Sequence, residues 1–290
     1  MTALVWAFTA IFFSLASVRI GAVTVNRTRL VMAVVLLGAA HWAIHGTPVP
    51  VGATPTAWFW LGLSGLVGLT LGDTFLFQAL VDLGPRKAML IMSSWPIFST
   101  LMGLAFLGER LEWLELAGIV ATLTGIAWVV AEKTAAPAAL SRPEHLARGV
   151  ACAFGGAFCQ AAGIVAAKEG LQGGLSPLSG TLIRMVVAAA SLWVATAGVG
   201  GVGRSLAKLA DRRALLLTAC GAFTGPFVGV WLSLVAVNNA KVGVASALMA
   251  LVPVLLLPLT RFVLKEPISP RTLWGTLAAF LGVVLLFVES

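Results

Sequence analysis

Charged side chains are scarce in this sequence, and tyrosine is absent. Asp, Glu, Lys and Arg together make up 10% of the 290 residues, whereas an average soluble domain is about 25% charged. So few charges cannot cover the apolar surface of a water-soluble fold of this size. The shortage excludes a soluble enzyme, a nucleic-acid-binding module and a disordered chain as descriptions of the whole chain.

Thiol and imidazole side chains are also few. The three cysteines lie in apolar segments without CxxC spacing, and the three histidines do not cluster with acidic residues. This pattern gives neither a disulfide framework nor a zinc site. The P-loop, HExxH and GxSxG motifs of enzymes are missing as well. We therefore expect no metal, no cofactor and no enzymatic activity.

Long apolar runs dominate what remains, because hydrophobic residues make up 59% of the chain. A helix across a bilayer needs about 20 mostly apolar residues, and the runs lack the alternation of a membrane barrel. The sequence predicts an all-α, multi-pass integral membrane protein, assigned to the bacterial inner or plasma membrane, with ten transmembrane helices. These predicted helices span residues 3–18, 29–45, 57–81, 87–107, 111–131, 149–168, 178–199, 214–237, 242–264 and 273–288.

An internal repeat relates the two halves of the chain. Shifting the sequence by 157 residues aligns 57–132 with 214–289 and pairs several glycines, prolines and glutamates. The first two helices of each half match more weakly, through Arg29 and Arg184. We predict a first five-helix repeat over 1–132, a linker over 133–148 and a second repeat over 149–290. Because five is odd, the second copy enters the membrane inverted.

The basic residues are unevenly distributed among the predicted loops. Most Lys and Arg residues lie in the loops after the odd-numbered helices. The positive-inside rule assigns these loops to the cytoplasm and therefore places both termini outside.

Three segments, 72–90, 95–111 and 245–268, carry a resemblance to a known family. They are similar to the EamA-like branch of the drug/metabolite transporter superfamily, in which a helix proline is followed thirteen residues later by glutamate. Here those pairs are Pro96 with Glu109 and Pro253 with Glu266. The resemblance implies ten helices in two five-helix copies, solute transport and cytoplasmic termini. One departure is Lys265-Glu266-Pro267, where the first copy has Gly108-Glu109-Arg110.

Asp73 is the most informative candidate site residue, because it lies inside predicted helix 3. A carboxylate at that depth needs a cavity, a partner or a proton, so it is a candidate site for a substrate cation or a proton. A structural hydrogen bond is the alternative. Gln78 either shares this site or bonds a neighbouring helix. Arg29 and Arg184, near the starts of helices 2 and 7, meet an anionic group or Asp73, or extend to the head groups.

Four further residues are candidates for shaping a transport pathway. Pro96 and Pro253 remove backbone donors inside helices 4 and 9, so they are predicted hinges, with a packing kink as the alternative. Trp95 and Trp231 lie near span centres and are predicted to form an aromatic wall of a substrate cavity, or else to pack in the core.

These features predict a secondary transporter, more specifically an exporter, that moves a small organic metabolite, amino acid, amine or drug by alternating access. Its expected partners are that small-molecule substrate, the lipid bilayer and protons as the candidate coupling ion, and no nucleic acid. The alternatives are a membrane-embedded lipid-processing enzyme and a non-transporting membrane subunit. The sequence leaves the substrate, the direction of transport and the oligomeric state open.

Overall fold

A computed structural model of the chain describes residues 2–83, 88, 91–130, 146–251 and 270–286. Within these ranges the chain is helical and has no strand, which confirms the all-α prediction. The chain divides into two compact units, Met1–Thr74 with Ala162–Asn239, and Phe75–Ala161 with Ala240–Ser290. Each unit therefore draws on both halves of the sequence.

The α-helices are numbered here in chain order. They are α1 (Thr2–Ile20), α2 (Ala22–His45), α3 (Pro55–Ser64), α4 (Asp73–Leu83), α5 (Trp95–Phe106), α6 (Trp113–Val130), α7 (Leu146–Leu171), α8 (Pro177–Gly198), α9 (Val202–Lys208), α10 (Arg212–Ala222), α11 (Val230–Asn239), α12 (Val242–Met249) and α13 (Pro270–Leu286). Two π-helices join neighbouring α-helices. The first π-helix, Gly65–Gly72, connects α3 to α4, and the second π-helix, Phe223–Gly229, connects α10 to α11.

Within the part of the chain that the structure describes, five helical segments are long and apolar enough to cross a membrane. They are Val23–His45, Pro55–Ala79, Leu146–Leu171, Pro177–Gly198 and Arg212–Asn239. Large apolar side chains point outward from them, with Val35 66% exposed and Val194 71% exposed. Such side chains suit contact with lipid acyl chains.

In the first unit, α8 contacts α2, α3, the first π-helix and α11. Ile183 and Met185 of α8 are completely buried, as are Leu37 of α2, Leu61 of α3 and Leu234 of α11. In a bilayer these contacts stabilise the unit through close van der Waals packing more than through exclusion of water.

In the second unit, α6 packs against α13 with backbone touching backbone. A Cβ atom on Gly125 would overlap the backbone of Ala279, and one on Gly282 would overlap the backbone of Thr122. The later residue of α6, Gly125, thus contacts the earlier residue of α13, Ala279, and the earlier Thr122 contacts the later Gly282. The two helices therefore run antiparallel. Under the 157-residue shift Gly125 corresponds to Gly282 and Thr122 to Ala279, so the contact has a local two-fold symmetry across the helix axes.

The two π-helices occupy corresponding positions in the repeat. Adding 157 to the last residue of the first, Gly72, gives the last residue of the second, Gly229. The sequence predicted a helix over 57–81 and another over 214–237, and the structure adds a π-helix within each range. The second π-helix contains Pro226, whose missing N–H removes one α-helical hydrogen bond. Asp73 and Val230 are the first residues after the two π-helices.

Predicted helix 4 is interrupted, and α12 ends in a turn inside the range predicted for helix 9, which is a correction. Residues 93 and 94 form a turn before α5, and residues 250 and 251 form a turn after α12. These turns also correspond under the 157-residue shift. Pro96 stands in the first turn of α5, where proline is tolerated because that N–H has no intrahelical partner. Predicted helix 2 also begins earlier, at Ala22 instead of residue 29.

Candidate functional site

Asp73 and Arg29 form an ion pair inside the first unit. Arg29 lies two turns into α2, and its Nη2 donates to Oδ2 of Asp73. The Arg29 side chain is 6% exposed and the Asp73 side chain 14% exposed. The structure thus gives Asp73 a charged partner, and its role as a site for a substrate cation or a proton stays a prediction.

Two more groups hold the Arg29 guanidinium. Its Nε donates to Oδ1 of Asn26, one turn earlier on α2, at 2.8 Å. The guanidinium also lies over the ring of Phe13 from α1, at 5.3 Å from the ring centroid, within the range of a cation–π contact. Asp73, Asn26 and Phe13 together fix the position and orientation of this cation.

Arg184 lies two turns into α8 and is 2% exposed. Within the described part of the chain, neither its Nε nor its Nη1 has a hydrogen-bond partner. It is close enough to Asp73 for the two charges to act on each other. The first π-helix passes next to it, because Gly65 has no Cβ to overlap the Arg184 carbonyl oxygen. We call Arg29, Asp73 and Arg184 the charge cluster.

The charge cluster holds two cations and one anion, so one positive charge is left without a counter-charge among its members. A guanidinium at the centre of a bilayer helix costs about 2.5–3.5 kcal/mol on insertion scales. Intramembrane ionisable residues are therefore retained mainly where they bind a partner or a solute. Chemically, the charge cluster can accept a further anionic group.

Gln78 lies apart from the charge cluster, in the second unit. Its amide Nε2 donates to Oδ1 of Asp82 at 3.0 Å, one turn along α4. Arg148 of α7 binds both carboxylate oxygens of Asp82, each at 2.8 Å. The Asp82 side chain is fully buried and the Arg148 side chain is 54% exposed. A role of Gln78 in substrate binding stays a prediction.

Sequence reasoning did not single out Asp82. It lies just past the predicted end of helix 3, where an acidic residue is expected in a loop. The available signal was Gln78, because residues four apart share one face of a helix. Pro226 was also passed over, although a proline inside an apolar run is a visible sign of irregular helix geometry.

The two tryptophans lie in different units. Trp95 is half-buried at the start of α5 in the second unit, beside the buried Pro96. Trp231 is half-buried on α11 in the first unit, with its ring 6.0 Å from that of Phe227. Pro253 lies outside the described residues. The predicted cavity-wall and hinge roles stay predictions.

Glu109 has a definite place at a helix end. Both of its carboxylate oxygens accept the backbone N–H of Val242, at 2.9 and 3.0 Å. This N–H begins α12, whose own N-cap residue, Lys241, makes no side-chain cap. The carboxylate therefore caps α12 and faces the positive end of its dipole.

Two apolar grooves lie on the first unit, and neither includes a member of the charge cluster. One is lined by residues of α2, α3, α8 and the loop before α3, including Pro48 and Trp58. The other is lined by α2 and α10 with Phe223, including Val35. Phe223 is 51% exposed and Val35 is 66% exposed, so the second groove suits contact with acyl chains.

Comparisons with known proteins agree with this architecture. The profile of the EamA-like transporter family matches residues 1–131 and 147–288. A protein of known crystal structure is similar to this chain with a TM-score of 0.75 and 17% sequence identity, over 99% of this chain and 96% of the other. At that identity the likeness shows the fold. No match was found among the curated proteins.

Proposed function

This chain belongs to the EamA-like transporter family and is a multi-pass membrane transporter, and we propose that it is a secondary carrier that exports a small organic solute by alternating access. The cargo class is an organic metabolite, amino acid, amine or drug, and protons are the candidate coupling ion. The observation that carries this proposal is the buried charge cluster, which lies where the first π-helix ends at Gly72. Irregular helices at membrane depth commonly border solute sites.

The proposed architecture is ten spans in two inverted five-helix repeats. The antiparallel, symmetric contact of Gly125 with α13 and of Gly282 with α6 supports inversion, because equivalent helices of a parallel repeat would run in the same direction. The paired π-helices and the paired turns at residues 93–94 and 250–251 support the same repeat.

Helix breaks of this kind suit the predicted hinges. The turn before Pro96 interrupts the predicted fourth helix, and the corresponding turn precedes Pro253 in the sequence. Discontinuous helices in corresponding positions of two halves are typical of alternating-access carriers. In this proposal Pro96 and Pro253 permit the bending of their helices during transport.

The variant Asp73→Asn tests the role of the charge cluster in transport. We expect it to insert and fold but to lose solute flux, or to lose the response of flux to a pH gradient, because the amide cannot take up a proton or balance a cation. The measurement is uptake of radiolabelled solutes of each class by proteoliposomes, with and without an imposed pH gradient.

Asp211→Asn is the matched control. Asp211 lies outside the predicted spans as the N-cap of α10, and Asn is an equally good N-cap. It should leave flux unchanged. Normal, pH-coupled transport by Asp73→Asn would remove Asp73 from the mechanism.

A further inference from the structure

We propose that Arg184 binds the carboxylate of the transported solute, so that the cargo is a small organic monoanion with an apolar body. This inference rests on the proposed function and names its substrate class. It assigns different roles to the two arginines: Arg29 is a fixed structural cation, and Arg184 is the site for the solute.

The first step is the difference between the two copies. Arg29 is held by Asp73 and Asn26. In the second copy the residue equivalent to Asp73 is Val230, and the residue one turn before Arg184 is Thr181. The hydroxyl of Thr181 already donates to the carbonyl oxygen of Pro177 at 2.7 Å. Neither replacement offers a carboxylate or an amide oxygen to Arg184.

The second step is the state of the guanidinium. Arg184 is 2% exposed, and among the described residues its Nε and Nη1 find no acceptor. A buried donor without an acceptor costs about 1–3 kcal/mol, and more when it is charged. Nε–H and the Nη1 N–H groups point to different edges of the guanidinium, and a carboxylate binds either edge in a pair with Nη2. Donors without acceptors on both edges therefore suit the binding of an anion.

The third step is the charge. Asp73 and Arg29 neutralise each other, so Arg184 supplies the net positive charge of the charge cluster. Binding of one monoanion makes the charge cluster neutral. Neutrality lowers the free-energy cost of holding these charges inside the bilayer. A cation would add to the excess charge, and a dianion would reverse it.

The fourth step is the apolar surface on the second copy's side. Val230 is 4% exposed, and it follows Gly229, at which a Cβ would lie 3.2 Å from Cε2 and Nε1 of the Trp6 indole. Trp231 comes next, in ring contact with Phe227. Because the repeat pairs Val230 with Asp73, we expect Val230 and its neighbours to border Arg184, and aliphatic and aromatic groups beside an anion site favour a cargo with a hydrophobic body.

The test measures ligand-induced stabilisation of the purified full-length protein in detergent at fixed chloride concentration. The probes are phenylacetate, its neutral amide phenylacetamide, and 2-phenylethylammonium, which share one ring and differ in charge. A ligand that binds the native state stabilises it by RT ln(1 + L/Kd), where L is the free ligand concentration, so the rise in Tm grows with ligand concentration and affinity. We expect phenylacetate alone to raise Tm, and Arg184→Gln to weaken its binding by at least about tenfold.

Val230→Asp is the sharper variant. It places in the second copy the carboxylate that the first copy has at Asp73, so the new side chain should pair with Arg184 and abolish the phenylacetate effect. Val230→Asn is its matched control, because it has the same shape without the charge and should retain most of the binding. If one variant fails to fold, the others still test the proposal.

Several outcomes would overturn the proposal. One is that phenylacetamide or phenylethylammonium stabilises the protein as much as phenylacetate does. Another is that Arg184→Gln or Val230→Asp binds phenylacetate as well as the parent protein does. A third is that chloride titration alone gives an Arg184-dependent stabilisation equal to that of phenylacetate. Flux in proteoliposomes separates this inference from the proposed function. Transport of amines only, unaffected by Arg184→Gln, would overturn the anion site and leave the carrier. Arg184-dependent binding without flux of any probe would support the anion site and overturn the carrier.

Discussion

Arg29 and Arg184 occupy corresponding places in the two copies but have different surroundings. Arg29 has a carboxylate, an amide oxygen and an aromatic ring as partners, whereas Arg184 has two donors without acceptors among the described residues. The residue type alone could not separate the two roles, because both arginines were predicted equally to bind a solute or to reach the head groups. The difference in surroundings comes from one pair of equivalent residues. Residue 73 is an aspartate that pairs with Arg29, whereas its equivalent, residue 230, is a valine without an acceptor group.

Asp211 allows a prediction on pH dependence outside the membrane. Hydrogen bonds from the backbone of Ala214 and from the Arg19 side chain hold the pKa of Asp211 below its ordinary value. A depressed folded-state pKa contributes stability that is fully present above the unfolded pKa of about 4 and is lost as pH falls through the folded pKa. Asp211→Ala should therefore lower Tm at neutral pH, and the difference from the parent protein should shrink in acid.

Thermal melts of the parent and Asp211→Ala at several pH values check this. Asp211→Asn is the control, because it keeps the cap but not the charge. It should lose only the pH-dependent part. A difference between parent and Asp211→Ala that stays constant from neutral to acid pH would show that the carboxylate charge contributes nothing.

The first π-helix is the element that brings the charge cluster together. The first π-helix places Asp73 opposite Arg29 and passes the backbone of Arg184 so closely that only glycine fits at residue 65. Gly65→Ala should destabilise the protein by about 1–3 kcal/mol through overpacking, because the backbone of Arg184 must shift. It should also weaken solute binding.

Gly62→Ala is the matched control, one turn earlier on α3. A Cβ there would meet Cγ2 of Val187 at 3.5 Å, an ordinary van der Waals distance. Thermal unfolding followed by tryptophan fluorescence compares the two variants. Equal Tm values would contradict the close approach of the first π-helix to α8.

Sequence reasoning predicted the helical class and the repeat, because both depend on hydropathy and on glycine and proline spacing. The pairs Gly68 with Gly225 and Gly72 with Gly229 were recognised, and they fall inside the two π-helices. The π-helical widening itself was not predicted, because an i→i+5 ladder changes no hydropathy pattern. The turn at residues 93–94 was missed for a related reason: a proline was interpreted as a bend within a helix rather than as the start of one.

Within the charge cluster, sequence gave the residues but not their pairing. Asp73 was a candidate partner for either arginine. Predicted helix boundaries give the depth of a residue in the membrane only to within about a turn, so they could not show which arginine lies level with Asp73. Gln78 was predicted either to share the site of Asp73, about one and a half turns away, or to bond a neighbouring helix. In the structure its amide donates to Asp82 on the same helix.

At the scale of the whole molecule, the basic residues of two predicted loops meet at one end of the first unit. Arg27 Nη1 donates to Ser205 Oγ of α9 at 2.8 Å, and Arg19 Nε donates to Asp211 Oδ2 at 2.8 Å. Lys208 lies next to the turn between α1 and α2. The positive-inside rule assigns such an end to the cytoplasm. The outside placement of both termini that follows from it stays a prediction, and the family resemblance implies the reverse.

The central claim is that the region around the charge cluster opens to each side of the membrane in turn. The most direct measurement uses a single-cysteine protein, made by Val230→Cys with Cys152, Cys159 and Cys220 replaced by alanine. The rate at which this cysteine reacts with a membrane-impermeant methanethiosulfonate is measured from each side. Whole spheroplasts present one face and inverted vesicles the other. We predict labelling from both faces, slowed from both by phenylacetate. Labelling from neither face, or from one face only, would contradict the account.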